Sequence, residues 1–295
     1  MEIANKIQVR QAIFDDRSRI TQLLQQARYR HYHVDWSLPV DWLGSAGFVV
    51  GEREVPSRRE GETALTLAGC LAVVPDPVPV AWVRVAAVAY RERALPLIEE
   101  MLEKVVGPLR EEGVSQIAWL AVEAWCNDVL RQLSFERISY LESYVKDNLE
   151  IPDVGGKDVK VRPATPADFP ILVAMEARAL DGPWRHSQVA LEQAWSQILS
   201  FDVAEDDEGE IIGFQYSMQG QSGAGHLVRI TVDPAWQGQG VGSALMRTAL
   251  EGYQRHGLRH ASLNTQADNV TSHRLYEKFG FYPGGYRLPI WGLNI

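Results

Sequence analysis

One segment of the chain is suited to hold a phosphate group. Residues 232–243 carry Gly238, Gly240 and Gly242 at alternate positions, between an apolar run and an amphipathic one. Glycines at a strand-to-helix turn leave no side chain in the way of a ligand and permit positive φ angles. The free N–H groups at the start of the following helix favour an anion. The same glycines could instead form a turn that only connects two elements.

A second segment brings polar side chains together on one stripe of a predicted helix. Asn269, Ser272, His273 and Tyr276 are spaced at offsets of three, four and seven residues, which places them on one helical face. A phenol keeps its proton at pH 7 and can act as a general acid. The stripe therefore supplies a candidate proton donor.

The elements that must position these residues follow from the flanking sequence. Residues 227–232 are apolar and partly β-branched and predict a strand, which Pro234 ends. A helix should follow the glycines. Residues 261–265 predict another strand, and Asn269 is a suitable N-cap for a helix that Gly280 ends.

Nucleotide-binding motifs are the main alternative for the glycine segment. A dinucleotide fingerprint requires a third glycine, but Ser243 occupies that place when the frame starts at Gly238. A P-loop requires Lys-Ser or Lys-Thr after the glycines, and neither is present.

In both segments the chain resembles the GNAT superfamily of acyl-coenzyme A-dependent N-acetyltransferases. The first family motif is matched by Gln237, Gly240 and Gly242. The second is matched by Asn269, Leu275, Tyr276, Lys278, Gly280 and Phe281. The two matches occur in the family's order, about thirty residues apart by the sequence numbering.

The resemblance implies an acetyl-CoA cosubstrate and roles for the matched residues. The backbone of Ile230 and Val232 would pair with the pantetheine arm, and Asn269, with Ser272 beside it, would contact the coenzyme. Tyr276 would protonate the leaving thiolate after direct attack by a primary amine. The pyrophosphate would lie on the loop formed by Gln237, Gly238, Gln239, Gly240, Val241, Gly242 and Ser243.

The acceptor site is less defined by the sequence. In this fold a loop between the first two helices commonly covers it, here containing Trp184, Arg185 and His186. The candidate general bases are His226, His186, or a water held by Asn264 and Thr265. If Arg229 faced the acceptor, it would favour an acceptor that carries an acidic group. The strand 227–232 contains no glutamate, the residue that many relatives keep there as a base.

Internal similarity predicts two tandem domains. Residues 9–12 resemble residues 161–164 at an offset of 152, with Asp15 matched to Asp168, and two later segments align at an offset of 146. We therefore expect an α/β chain of two GNAT-type domains, 1–148 and 159–295, each a mixed, mostly antiparallel sheet flanked by helices. Residues 145–158 would link them. Two unrelated α/β units would be the alternative.

The first copy lacks the motif residues. Ala94, Pro96, Glu123 and Leu130 stand where the second copy has Gly240, Gly242, Asn269 and Tyr276. The arrangement is similar to that of tandem GNAT enzymes with a degenerate first half, such as mycothiol synthases. We expect one coenzyme per chain, with the first domain structural or shaping the acceptor pocket.

Composition gives the remaining expectations. The net charge is −9 without a basic stripe, which argues against nucleic acid and membrane partners. Cys70 and Cys126 lack metal-ligand spacing, so we expect buried thiols, no metal and a cytoplasmic protein. His31, His33 and Asp35 could form part of a metal site, but they are interpreted as a solvated loop. Oligomeric state stays open. A non-catalytic acyl-CoA-binding regulator and a nucleotide-dependent oxidoreductase are the alternative functions.

Overall fold

The computed structural model describes residues 7–34, 37–56, 63–153, 159–220 and 223–295. The chain forms two compact units. The first comprises residues 1–138 and 289–295, and the second comprises residues 139–288.

The first unit is a mostly antiparallel sheet with helices on both faces. Its strands are β1 (Gln8–Gln11), β2 (Tyr29–Tyr32), β3 (Phe48–Pro56), β4 (Thr63–Pro75), β5 (Val80–Val88) and β6 (Gln116–Leu120). Its helices are α1 (Arg17–Gln26), α2 (Ala94–Glu111) and α3 (Ala124–Gln132). The strand order is β1-β3-β4-β5-β6, with β2 also paired to β5. Among its described strands, β5 and β6 form the one parallel pair.

Side chains of β4 alternate between the two faces of this sheet, and both faces are covered by helices. Leu71 and Val73 pack with α2 and α3, whereas Cys70 and Ala72 pack with α1. Successive side chains of a strand point to opposite faces, so an uninterrupted apolar run serves two cores.

The second unit repeats this plan. Its strands are β8 (Lys160–Pro163), β9 (Ile198–Glu205), β10 (Ile211–Gln219), β11 (Gly225–Val232) and β12 (Ala261–Gln266). Its helices are α4 (Phe169–Ala179), α5 (Gln188–Trp195), α6 (Val241–Arg255) and α7 (Val270–Lys278). The order β8-β9-β10-β11-β12 contains one parallel pair among the described strands, β11 with β12. The predicted fold class is confirmed.

Two further strands show that both predicted domain boundaries differ from those in the structure. Strand β7 (Glu136–Lys146) continues from the first unit into the second, where residues 141–146 pair with β12. Strand β13 (Tyr282–Asn294) begins in the second unit, and its residues 290–294 pair with β6 in the first. Residues 139–148 therefore belong to the second unit and residues 289–295 to the first. Of the predicted linker, residues 145 and 146 belong to β7, and residues 154–158 lie outside the described residues.

An ion-pair network repeated in both units supports the internal duplication. Arg10 binds Asp16 and Glu52 at 2.7 Å each. Arg162 binds Asp168 at 2.9 Å and Glu205 at 2.6 Å. The counterpart of Asp168 is thus Asp16 and not the predicted Asp15, because Asp16 closes the 3-10 turn in which its carboxylate meets the arginine.

The two copies differ in the element that follows their first helix. The second unit has helix α5 between α4 and β9, whereas the first has strand β2 between α1 and β3. His31 lies on β2 and is fully buried, so the predicted solvated loop is wrong for this residue. Asp35 lies outside the described residues. Within the described part of the chain, no helix has the length and apolar character to cross a bilayer.

Candidate active site

The site begins where strands β11 and β12 separate. They pair in parallel only at residues 225–227 and 261–263. The register of β11 against β10 then shifts and leaves Val228 without a partner. A bulge of this kind bends its strand away from its neighbour. One edge of the second half of β11 is therefore directed into an opening, which we call the β11/β12 cleft.

A cavity of about 680 Å³ occupies this cleft. Its volume is in the range of small-molecule and cofactor sites, roughly 300–1,000 Å³. It is lined by ten of the eleven residues predicted to bind the coenzyme: Ile230, Val232, Gln237, Gly238, Gln239, Gly240, Gly242, Ser243, Asn269 and Ser272. The exception is Val241, whose side chain is 1% exposed and packs in the core against Leu245.

The glycine loop has the backbone geometry that an anion cradle needs. Gly238 and Gly240 have φ angles of +76° and +93°, a region that residues with a Cβ atom rarely occupy. Gly240 is the N-cap of α6. The N–H groups of the first helical turn have no intrahelical acceptor, so they are available to a phosphate at the cavity wall.

Asn269 shapes the start of α7 as well as lining the cavity. Its Oδ1 accepts a hydrogen bond from the Ser272 N–H at 3.1 Å, and its Nδ2 donates to Gln266 Oε1 at 3.1 Å. This is an N-cap interaction, as the residue type predicts. It fixes Ser272 against the cavity.

Tyr276 lies one helical turn beyond Ser272 and is 5% exposed. The side chains of Ser272 and Thr265 lie near enough to its hydroxyl to affect its pKa. Burial raises the pKa of Tyr276 above its ordinary value, against smaller opposing effects of Ser272, Arg229 and Thr265. The phenol is therefore protonated at neutral pH. Tyr276 does not itself line the cavity, but the neighbouring Ser272 does.

Two basic residues at the cavity were not predicted from the sequence to contact the coenzyme. Arg274 and Lys278 line it from the exposed side of α7. They are four residues apart and so share a helical face, which is the signal that could have identified them. Their charges suit a ligand that carries phosphates. The other cavity residues not predicted are Ala179, Leu180, Thr231, Trp236, Thr271 and Leu275.

Comparisons with known proteins agree with this geometry. Residues 169–281 match the model of the acetyltransferase (GNAT) family. A mycothiol acetyltransferase from Acidothermus cellulolyticus is 30% identical over 228 residues, which cover 67% of this chain and 66% of that protein. One from Streptomyces avermitilis is 37% identical over 90 residues, or 30% of this chain and 29% of that protein. The chain thus matches just under two thirds of the first relative's length and less of the second.

Solved structures extend the similarity of fold to the whole chain. A GCN5-related N-acetyltransferase from Sphaerobacter thermophilus has a TM-score of 0.59 at 18% identity and covers 98% of this chain and 95% of its own. A tandem GNAT protein from the clavulanic acid biosynthesis pathway also has a TM-score of 0.59, at 15% identity, and covers 98% of each chain. The second half of this chain matches the GNAT family, and the whole chain has the fold of tandem GNAT proteins.

The GNAT fold is not a dinucleotide-binding fold, so the oxidoreductase alternative loses its structural basis. The glycine loop belongs to a mostly antiparallel sheet with a split parallel pair. A dinucleotide fold would place that loop on a parallel sheet.

Arg229, one of the predicted acceptor residues, is held in a buried charge cluster on the α4 side of the GNAT sheet. Its Nε lies 3.2 Å from Glu176 Oε1, a side chain with no exposed surface. This is an ion-pair distance, although the two atoms are not aligned for a hydrogen bond. The charge of Arg229 is thus neutralised within the protein, which removes the reason to expect an acidic acceptor group.

His186 joins the same cluster. Arg229 Nη2 lies 3.0 Å from both of its ring nitrogens, and Tyr216 Oη lies 2.9 Å from its Nδ1. Its backbone N–H donates to Glu176 Oε2. The predicted loop residue therefore packs against the sheet through polar contacts of its ring and its backbone.

The other predicted acceptor residues do not converge on the cavity of the β11/β12 cleft. His226 Nδ1 lies 2.8 Å from Ser262 Oγ at the closed end of the β11/β12 cleft, and burial lowers the pKa of this histidine. Asn264 is exposed on β12. Trp184 lies in a 3-10 turn, and Arg185 Nε donates to Leu180 O at 2.8 Å. Among the described residues, none of these lines the cavity.

The corresponding cleft of the first unit is occupied by protein. Strands β5 and β6 pair in parallel at residues 80–82 and 116–118, so Val85 matches Ile230 by its distance from the start of the pair. In the first unit, residues 85–88 pair with β4 on one edge and with β2 on the other. Strand β2 thus lies where the cavity opens in the second unit.

Proposed function

We propose that this protein is an acetyl-CoA-dependent N-acetyltransferase with one active site, in its second unit, and a primary amine as acceptor. One observation carries the proposal. Two segments about thirty residues apart meet at one cavity: a glycine loop at a helix N-terminus and a polar helical stripe beside a buried, protonated tyrosine. An anion cradle and an adjacent proton donor are the two functions that this reaction needs.

The residues can be assigned to the steps of a direct transfer. Phosphates of the coenzyme would lie on the N–H groups of the Gly240 turn, with Arg274 and Lys278 adding positive charge. The pantetheine arm would pair with the free edge of Ile230 and Val232. The neutral amine attacks the thioester carbonyl, the carbon–sulfur bond breaks, and the departing thiolate takes the Tyr276 proton. The proton that the nitrogen loses on becoming an amide then restores the Tyr276 hydroxyl.

His226 is the base we propose for deprotonating the acceptor ammonium. It lies at the closed end of the cleft, where β11 and β12 begin to separate. Burial lowers its pKa below the ordinary histidine value, so the ring is neutral at pH 7. When Nδ1–H donates to Ser262 Oγ, Nε2 carries the lone pair that accepts a proton.

The acceptor should be a small molecule. Two relatives are named mycothiol acetyltransferases, so the acceptor implied by that name is the first compound to test. Simple primary amines and peptides with a free N-terminal amine complete the panel. Release of free coenzyme A thiol, followed by mass spectrometry of the product, measures transfer. Thiol release without an N-acetyl product would contradict amine acetylation. Binding of acetyl-CoA with no turnover across the panel would favour a regulator that only binds the coenzyme.

A single site also predicts the stoichiometry. In the first unit, β2 occupies the backbone edge that pantetheine would use, and Pro96 in the α2 turn has no N–H to offer. Calorimetric titration of the full chain should therefore saturate at one acetyl-CoA. Saturation at two equivalents would show that the first unit binds as well.

A further inference from the structure

Three potential metal-binding side chains meet in the first unit, outside the coenzyme site. The His31 Nδ1, Glu123 carboxylate and Cys126 Sγ groups offer ligand atoms that all lie within 4.8 Å of one another. His31 and Cys126 have no exposed surface, while the Glu123 side chain is 35% exposed. The group therefore combines a buried interior with one side open to solvent, through which an ion could enter.

The ligand atoms are held by separate parts of the fold. His31 lies on β2, inside the β5/β6 cleft, whereas Glu123 is the N-cap of α3 and Cys126 lies in its first turn. The helical offset of three puts the carboxylate and the thiol on one side of the helix start. His31 comes from 92 residues earlier in the chain, which is why no sequence motif displays the group.

The histidine is oriented as metal ligands usually are. Its Nε2 lies 3.3 Å from the backbone carbonyl of Val83, a contact that requires Nε2 to donate its proton. In the neutral ring this leaves the lone pair on Nδ1, which lies 3.1 Å from Glu123 Oε2, another acceptor. Two acceptors at this distance repel unless a proton or a cation lies between them. A backbone carbonyl behind the other ring nitrogen is the usual outer partner of a metal-bound imidazole.

The indole of Trp119 gives a further indication. Its Nε1–H is buried with no hydrogen-bond acceptor in the described structure. Burial raises the pKa of the Cys126 thiol, and the neighbouring Trp119 side chain is among the smaller effects that oppose this rise. A thiol is a weak acceptor, but a metal-bound thiolate is a strong one. A bound cation would thus satisfy a buried donor that is otherwise unpaired.

We propose that His31, Glu123 and Cys126 bind one divalent transition metal, with Zn²⁺ preferred, and that water completes a tetrahedral site. Nitrogen, carboxylate and thiolate ligands are the set that zinc takes in proteins. Ligand atoms about 2.0–2.3 Å from one zinc lie roughly 3.5 Å apart, so modest side-chain rotation brings all three onto the ion. Binding releases the thiol proton, and the two negative ligands then balance the charge of the metal.

The metal would tie β2 to the start of α3 and so hold this strand in the β5/β6 cleft. Its role is structural: it closes the position that corresponds to the coenzyme cleft of the second unit. This proposal does not depend on the proposed acetyltransferase activity, because its readouts are metal content, absorption and thermal stability.

Cobalt substitution of the full-length protein tests the site. After removal of metal with a chelator, titration with Co²⁺ should give one equivalent with visible bands of tetrahedral cobalt and a thiolate-to-cobalt charge-transfer band, and Zn²⁺ should abolish both. Cys126→Ser should remove the charge-transfer band and lower affinity by at least roughly 10²-fold. Glu123→Gln, at a partly exposed side chain, should lower affinity by at least roughly tenfold.

The matched control is the other buried cysteine. Cys70 has no exposed surface and lies in an apolar cluster on β4, so Cys70→Ser should retain the charge-transfer band and the rise in Tm with Zn²⁺. If Cys126→Ser does not fold, the cobalt affinity of Glu123→Gln relative to wild type tests the proposal. The proposal is wrong if folded wild type binds no cobalt, if its cobalt spectrum lacks the thiolate band, or if Glu123→Gln and Cys126→Ser bind as wild type does.

Discussion

Replacing Tyr276 with phenylalanine tests the proposed general acid most directly. The change removes the hydroxyl and almost no volume. We expect kcat to fall roughly 10²-fold, at the lower end of the range for general acid–base catalysis. Acetyl-CoA affinity should stay within about threefold of wild type, since Tyr276 does not line the cavity and threefold corresponds to about 0.6 kcal/mol. Steady-state kinetics with thiol detection and calorimetry measure the two quantities.

The structure also bounds the cost to folding. The lost hydroxyl interacts with Ser272 and Thr265, and one buried hydrogen bond contributes about 0.5–1.5 kcal/mol. The free energy of unfolding should therefore fall by roughly 1–3 kcal/mol. A loss of this size leaves a typical domain folded at assay temperature, so reduced turnover would report on chemistry.

Tyr253→Phe is the matched control. Tyr253 lies in the same buried cluster, donates its hydroxyl proton to Ser217 Oγ at 2.7 Å, and has a pKa that burial also raises. Its removal should destabilise the protein similarly and leave kcat unchanged. Equal turnover losses in both variants, or wild-type turnover in Tyr276→Phe, would refute the assignment of Tyr276 as the acid.

The pH dependence provides a second readout of Tyr276. Only the protonated phenol can donate, so wild-type turnover should decline as pH rises through its pKa, which burial raises above the ordinary tyrosine value. The residual turnover of Tyr276→Phe should lack this basic limb. A basic limb that is identical in both proteins would have another origin.

Three further predictions concern the cradle, the base and the charge cluster. Gly240→Glu should abolish acetyl-CoA binding in calorimetry, because it puts bulk and negative charge at a left-handed position of the cradle. The control is Gly257→Glu, which is also at positive φ but lies after the other end of α6, and it should bind normally. Equal affinity of the two variants would show that the loop is only a connector. His226→Gln should flatten the acid limb of the kcat/KM profile, which in wild type falls as pH drops through the lowered pKa of His226; an unchanged limb would exclude this base. Glu176→Gln should lower the free energy of unfolding by roughly 3–5 kcal/mol in a denaturant titration, because it leaves Arg229 buried without its counter-charge. A change below about 1 kcal/mol, which is the scale of an exposed ion pair, would show that Arg229 is solvated.

The lining of the cavity in the β11/β12 cleft was predictable from sequence because it depends on local backbone geometry. The glycines act through the turn in which they lie, and Asn269 acts through the helix that it caps. Spacing along the chain is sufficient to detect such features. Val241 shows the limit of this reasoning: it belongs to the loop by sequence, but its side chain points into the core.

The acceptor residues could not be placed in the same way. Arg229, His186 and Glu176 come from a strand, a loop and a helix, and their ion pair depends on packing across the sheet. Glu176 was not considered, because a single glutamate in a helical pattern is indistinguishable from a solvated one. The domain boundaries failed for a similar reason, since the pairing of β7 with β12 joins residues more than a hundred positions apart.

The largest gap between sequence and structure is strand β2. Under the proposed function, this strand explains why the first unit lacks the coenzyme motifs. A cleft between separated strands exposes backbone groups that a bound pantetheine would satisfy. In a copy that no longer binds, those groups would need water or protein partners. Residues 29–32 supply them by pairing with residues 85–88. Once this strand occupies the cleft, the glycines of the cradle and the proton donor no longer have a ligand to contact. No coenzyme contact is then removed by Ala94, Pro96 and Leu130 at the motif positions. Two of them, Ala94 and Leu130, pack in the apolar core of the first unit.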